Sequence, residues 1–166
     1  MALQLFKIAS TTLSAPSNSV DFTSIPQGYS DLLLKATART DTGAPGAIVR
    51  FNGATTNYSF RDIESDGATP GSYNGTSYIL CGVANPASAT TNTFSSFEFY
   101  IPNYTSSNYK SMSGDSVTEN NGTTAYTGMY ANLWSNTSAI NQVTFICGTG
   151  TANFLANSTF TLYGVL

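Results

Sequence analysis

The residues of this chain that could carry out acid–base chemistry are two small groups of carboxylates. One group consists of Asp62, Glu64 and Asp66, and the other of Asp115 and Glu119. Two carboxylates that face each other across a cleft are sufficient for glycoside hydrolysis. Acidic residues in polar loops are more often solvated or cap turns, so this pattern favours turns, with a glycosidase that uses Asp115 and Glu119 as an alternative.

Other forms of side-chain chemistry have few residues to use. The chain contains no histidine, so neither a Ser-His-Asp nor a Cys-His arrangement can be built, and a zinc site has almost no ligands. Cys81 and Cys147 each end a predicted strand and form no CxxC pair, which favours two buried or half-buried thiols over a disulfide. We therefore expect no enzymatic activity and no cofactor.

The segment from Asp62 to Gly67 resembles the opening of a calcium-binding loop, because oxygen ligands alternate before a glycine. The pattern fails where the bidentate carboxylate should stand, since Tyr73 occupies that position. No helix is predicted on either side. We expect a turn with solvated carboxylates and no bound metal.

Aromatic residues in or near predicted loops could act as stacking platforms for a sugar ring. They could equally be core residues or contacts in a subunit interface, where Tyr and Trp are enriched. Core and interface together are the favoured interpretation. The residues are Tyr58, Tyr73, Tyr100, Tyr104, Tyr109, Tyr126, Tyr130 and Trp134.

The elements that position these residues are β-strands. In the segment from Phe94 to Pro102, Phe97, Phe99 and Ile101 alternate with polar neighbours, as in a strand with one buried face. The segments 109–115 and 124–134 follow after short polar turns, which predicts a central antiparallel meander. The sequence indicates about ten short strands, no helix of useful length and a tight turn at Asn52-Gly53. This pattern predicts an all-β, antiparallel, jelly-roll-like β-sandwich.

Composition narrows the possible partners. Charged residues are only 9% of the chain, and the six basic residues are scattered, so nucleic-acid binding is not expected. No segment is apolar and long enough to span a bilayer, and the N-terminus lacks the pattern of a signal peptide. With 166 residues, an aromatic content of 13% and no internal linker, residues 1–166 are predicted to form one folded domain.

Several segments resemble small structural proteins of tailed bacteriophage virions. The resemblance covers most of the chain, and its motifs are typical of a fold rather than of catalysis. It lies in Ile8–Ser14, Phe22–Pro26, Tyr29–Leu32, Arg50–Gly53, Asn57–Ser59, Ile101–Tyr104, Asn108–Lys110, Gly128–Asn136 and Ser158–Leu166.

The resemblance implies a capsid decoration (cement) protein or a domain of a head or tail fibre. Because the chain shows neither the attachment segment nor the long shaft of a tail fibre, we expect a cement protein on the outer capsid surface. Such proteins commonly bind the major capsid protein as homotrimers and stabilise the head. The alternative is an adhesin that binds host polysaccharide through Tyr104, Tyr109 and Trp134.

Under the cement-protein hypothesis, interface residues are expected in three places. They are the N-terminal strand with Leu3, Leu5 and Phe6, the loops predicted to carry Arg39 and Arg61, and the exposed aromatic residues Tyr104, Tyr109 and Trp134.

Overall fold

The computed structural model describes residues 4–43, 46–122 and 125–166. These residues form thirteen β-strands and no helix, so none of them belongs to a helix that could cross a membrane. The strands are β1 (Leu5–Thr12), β2 (Ser19–Phe22), β3 (Asp31–Thr40), β4 (Gly46–Phe51), β5 (Tyr58–Ser65), β6 (Pro70–Gly75), β7 (Ile79–Val83), β8 (Asn85–Pro86), β9 (Ser95–Ile101), β10 (Lys110–Val117), β11 (Thr127–Trp134), β12 (Val143–Cys147) and β13 (Thr159–Val165).

The strands form two sheets. The larger sheet has the order β1-β13-β3-β9-β10-β11-β5-β6, with the short strand β8 paired to β3 off this path. The smaller sheet has the order β2-β12-β4-β7. All pairs are antiparallel except β3 with β8. The β-sandwich is therefore confirmed, while jelly-roll connectivity stays a prediction.

The predicted central meander is also confirmed. Strands β9, β10 and β11 are consecutive neighbours in the middle of the larger sheet. Phe97, Phe99 and Ile101 are almost fully buried, and the strand ends immediately before Pro102, which cannot donate to the ladder. Burial of each large apolar side chain contributes roughly 1.5–3 kcal/mol to folding.

One hydrophobic cluster draws residues from both sheets. Phe145 of the smaller sheet contacts Phe160 of the larger sheet, with ring centroids 5.0 Å apart. Phe154, from the segment before β13, packs against the same Phe160 ring at 4.8 Å. Cys81 and Cys147 are free, buried thiols in the smaller sheet, as predicted.

The connection between β4 and β5 differs from the sequence prediction. Asn52 and Gly53 adopt the expected positive φ angles, 51° and 68°. However, β5 is not the pairing partner of β4, because the turn carries the chain from the smaller sheet to the larger one. The Asn52 side chain stabilises this crossing, since it accepts N–H bonds from Asn141 and Gln142.

Two further predictions about the elements need correction. The polar segment 64–74 was expected to be a loop, but Pro70–Gly75 forms the edge strand β6 against β5. The connection 41–46 was expected to be a hairpin, but β3 and β4 belong to different sheets. Residues 44 and 45 of that connection, Leu3 of the predicted first strand and Thr124 at the predicted start of β11 lie outside the described residues.

Candidate interaction surface

The outer face of the larger sheet carries a row of side chains that come from adjacent strands. The register pairs Ile63 with Met129, Met129 with Asp115, and Asp115 with Glu98. Glu98 is in turn opposite Lys35, and the two form an ion pair at 2.6 Å that raises the pKa of Lys35. One end of the row is thus apolar and the other end is charged.

The apolar end is more exposed than large apolar side chains usually are. Ile63 is 59% exposed and Met129 is 65% exposed, and Val117 on the same face is also exposed. We call these three residues the outer apolar patch. Two open grooves, of about 380 and 410 Å³, are each lined by both Ile63 and Met129. The outer apolar patch is therefore the candidate interaction surface of the larger sheet.

The outer apolar patch was missed at the sequence level, although a signal for it exists. Tyr58 and Phe60 are buried, so alternation along β5 places Ile63 on the opposite, outer face. Likewise the buried residues Tyr130 and Trp134 of β11 place Met129 outward. The alternation of inward and outward positions along β5 and β11 would therefore have predicted that Ile63 and Met129 share the outer face.

Arg61 lies next to the outer apolar patch. It was predicted in a loop, but it belongs to β5 and is exposed on the outer face, opposite Ala131 of β11. One terminal nitrogen of its guanidinium donates to the carbonyl of Phe60 at 3.1 Å. Its interface role stays a prediction, and its position adds a positive charge to one side of the apolar surface.

Arg39 was also predicted in a loop at an interface, and the structure contradicts both its placement and its accessibility. It lies in β3 and is only 8% exposed. Its two terminal nitrogens donate to four backbone carbonyls of one loop, at 2.7–3.0 Å, namely those of Ala87, Ala89, Thr90 and Thr93. Arg39 therefore holds this loop against the sheet through hydrogen bonds, and its guanidinium is not accessible to a partner.

Two of the three aromatic platform candidates are core residues, so the prediction that they are exposed is wrong. Trp134 is 1% exposed and packs between Phe51 and Tyr58, with ring centroids 5.5 and 6.3 Å away. Tyr104 is fully buried, and its hydroxyl donates to the carbonyl of Pro26. Of these three residues, Tyr109 is the exposed one, at 60%.

The N-terminal strand joins the larger sheet as its edge strand. Leu5 and Phe6 remain partly exposed there, and Phe6 stacks on Tyr29 at 5.8 Å. A register shift between Lys7 and Ala9 interrupts the pairing with β13, and such bulges protect an edge from further strand addition. The interface role of Leu5 and Phe6 stays a prediction, and Leu3 is outside the described residues.

The carboxylates Asp62, Glu64 and Asp66 do not form one group, because the first two lie in β5 and the third lies in the turn after it. Asp62 and Glu64 belong to β5 and share its inner side, whereas the Asp66 carboxylate accepts the N–H bonds of Ala68 and Thr69 in the following turn. Those two bonds lower the pKa of Asp66. Asp66 therefore caps a turn, as the sequence suggested.

Asp62 was expected to be a solvated carboxylate in a turn, and this prediction is wrong, because Asp62 lies in β5 and is only 4% exposed. Its Oδ1 accepts the Tyr73 N–H at 3.0 Å, and its Oδ2 has no hydrogen-bond partner in the part of the chain that the structure describes. Burial raises the pKa of Asp62, and burial together with the nearby Asp62 charge raises that of Glu64. Glu64 also accepts a hydrogen bond of 3.3 Å from the Tyr130 hydroxyl.

The second pair of carboxylates does not share a loop. Asp115 lies in β10 on the outer face, whereas Glu119 follows the strand and accepts the backbone N–H bonds of Asn120 and Asn121. Glu119 therefore stabilises the turn that follows it through hydrogen bonds to the backbone. In residues 4–43, 46–122 and 125–166, no three acidic or cysteine side chains are grouped so that they could hold a metal ion.

No protein-family model matches the chain, and no curated protein matches it either.

Proposed function

We propose that the chain is a structural protein of a tailed bacteriophage virion. It acts as a capsid decoration protein that binds the outside of the major capsid protein lattice through the outer apolar patch. Following the resemblance to small virion proteins, it binds as a homotrimer and stabilises the head. A partner that binds only the assembled lattice stabilises it by mass action.

The observation that carries this proposal is the exposure of Ile63 and Met129 side by side on a rigid sheet. A β-sheet face changes shape little on binding, so the ordering of the surface on association costs little free energy. The surrounding outer face is rich in Ser and Thr, with Ser111, Ser113 and Thr127 exposed around the patch. An apolar centre with a polar rim is the usual anatomy of a protein interface.

The test uses empty heads of the encoding phage prepared without this chain. The purified chain is added, the heads are sedimented, and the bound fraction is measured against concentration. We expect saturable binding and heads that withstand a higher temperature. The double variant Ile63→Ser/Met129→Ser should bind at least tenfold more weakly, because centrally placed interface residues contribute about 1–2 kcal/mol or more each.

The control is the double variant Asp21→Ala/Thr144→Ala, which truncates two side chains on the outer face of the smaller sheet. It should bind as the unmodified chain does. Absence of binding to heads, or equal binding by the Ile63→Ser/Met129→Ser variant, would overturn the proposal.

A further inference from the structure

A cavity of about 300 Å³ lies apart from the outer apolar patch and shares no residue with it. One wall comes from residues 83–90, which include β8, and the other from residues 118–122 together with Tyr126. This volume is at the low end of the roughly 300–1,000 Å³ of small-molecule sites. It offers room for one small ring and not for an extended chain.

The polar side chains of this cavity are all neutral. They are Asn85, Ser88, Thr90, Thr118 and Asn120, and none of the described residues that line the cavity is charged. Amides and hydroxyls supply both donors and acceptors. A phosphate or carboxylate would find no opposite charge here, whereas a neutral ligand with many hydroxyl groups would find partners of both kinds.

The remaining lining is apolar and includes one aromatic ring. Val83, Pro86 and Ala89 supply carbon surface, and Tyr126 is half-buried at the edge of the cavity. A pyranose presents hydroxyl groups around its edge and C–H groups on its faces, so it needs both kinds of surface in one site.

Asn85 joins the two walls of the cavity. The residue is fully buried, its Oδ1 accepts from Asn120 at 3.1 Å, and its backbone N–H donates to Ser95 at 2.8 Å. Its Nδ2 is also buried and has no hydrogen-bond partner among the described residues. Because this atom has almost no accessible surface, Asn85 contributes to the site by holding its two walls together.

Both walls are held in place before any ligand binds. Arg39 fastens residues 87–93 through the four carbonyl contacts described above. Thr118 joins the two walls directly, because its hydroxyl donates to the carbonyl of Val83 at 2.7 Å. A site built in advance loses little affinity to the ordering of its own residues.

We propose that this cavity is a binding site for a single neutral sugar residue. Tyr126 contacts a C–H face of the ring, and the amide and hydroxyl side chains bind its hydroxyl groups. The site is independent of the capsid-binding proposal, so either can fail without the other.

The test is a titration of the isotopically labelled full chain, followed by backbone amide NMR. The probes are methyl glycosides of glucose, galactose, mannose and N-acetylglucosamine, each to about 50 mM, because one small ring in an open site binds in the millimolar range. At least one glycoside should shift amide signals of residues 83–90 and 118–122 in a saturable manner. Glucuronate and a blocked neutral dipeptide should bind more weakly than that glycoside.

Two variants test the assignment to this cavity. Tyr126→Ala should weaken binding at least fivefold, and Ala89→Phe, which fills the cavity, should abolish it. Tyr109→Ala is the matched control, since it removes an exposed tyrosine outside the cavity and should leave the affinity unchanged. The amide spectra of all three variants report whether they are folded.

Three results would overturn the proposal. They are no saturable shift with any glycoside, shifts that map outside the cavity, and equal binding by the Tyr126→Ala and unmodified chains. Tighter binding of glucuronate or of the dipeptide would also contradict a neutral sugar as the ligand.

Discussion

Replacement of Arg39 by methionine tests whether this buried arginine stabilises the fold. The same replacement at the exposed Arg61 serves as the comparison. Arg39→Met keeps most of the side-chain volume but removes the guanidinium that binds four loop carbonyls. A hydrogen bond to a charged donor contributes about 1.5–3 kcal/mol, but water can reach part of this loop after truncation. We expect a net loss of about 3 kcal/mol, equivalent to at most two such bonds.

The matched control is Arg61→Met, which acts on an exposed arginine in the same sheet. Exposed substitutions usually change stability by less than about 0.5 kcal/mol. For a chain of this length, the midpoint of thermal unfolding should fall by about 6–12 °C in Arg39→Met and by no more than about 2 °C in Arg61→Met.

The assay is urea unfolding followed by tryptophan fluorescence, because Trp134 is buried in the core. Arg39→Lys is included, since it keeps the charge but cannot reach four carbonyls, and it should lie close to Arg39→Met. Equal stability of the Arg39→Met and Arg61→Met variants would refute the reasoning that burial and loop contacts determine the role of Arg39.

Three further predictions concern the buried groups and one glycine. Burial raises the pKa of Asp62 above its unfolded value, so the folded state binds this proton more tightly and the free energy of unfolding falls as pH rises through the folded pKa. Asp62→Asn should therefore stabilise the protein by about 1 kcal/mol at pH 7, and the gain should vanish below about pH 3.5; an equal gain at both pH values in urea titrations would contradict this. A Cβ at Gly114 would lie 2.3 Å from the carbonyl oxygen of Glu98. Gly114→Ala should therefore lower the free energy of unfolding by about 1–3 kcal/mol or more in the same titrations. As a control, Gly28→Ala enters open space and should lower it by less than about 0.5 kcal/mol. Cys81 and Cys147 are buried and their pKa values are raised, that of Cys147 to about 12, so iodoacetamide should label them only in denaturant; rapid labelling of the native protein would contradict the core packing.

The central meander could be predicted because local alternation and tertiary burial agree there. Phe97, Phe99 and Ile101 repeat with the period of a strand, and Pro102 marks its end. Strand β6 could not be predicted in this way, because Pro70–Gly75 has no apolar alternation. It is a strand because β5 offers it a hydrogen-bonding edge, which is a property of the assembled sheet.

The placement of the site residues depended on contacts between distant parts of the chain. Alternation along β3 puts Arg39 on the side opposite Ala36 and Ala38, where its guanidinium binds the carbonyls of the loop 87–93. Tyr104 lies in a turn, packs into the core cluster, and donates its hydroxyl hydrogen bond to Pro26, 78 positions away. The sequence pattern contains neither contact, so these two residues were predicted to be exposed.

The proposed capsid role can be decided by an electron cryo-microscopy map, at side-chain resolution, of the virion that is proposed to contain this chain. We expect density for the chain on the outer capsid surface, with Ile63 and Met129 against the major capsid protein. A particle in which the outer face of the larger sheet points to solvent, or in which the chain is absent from the head, would contradict it.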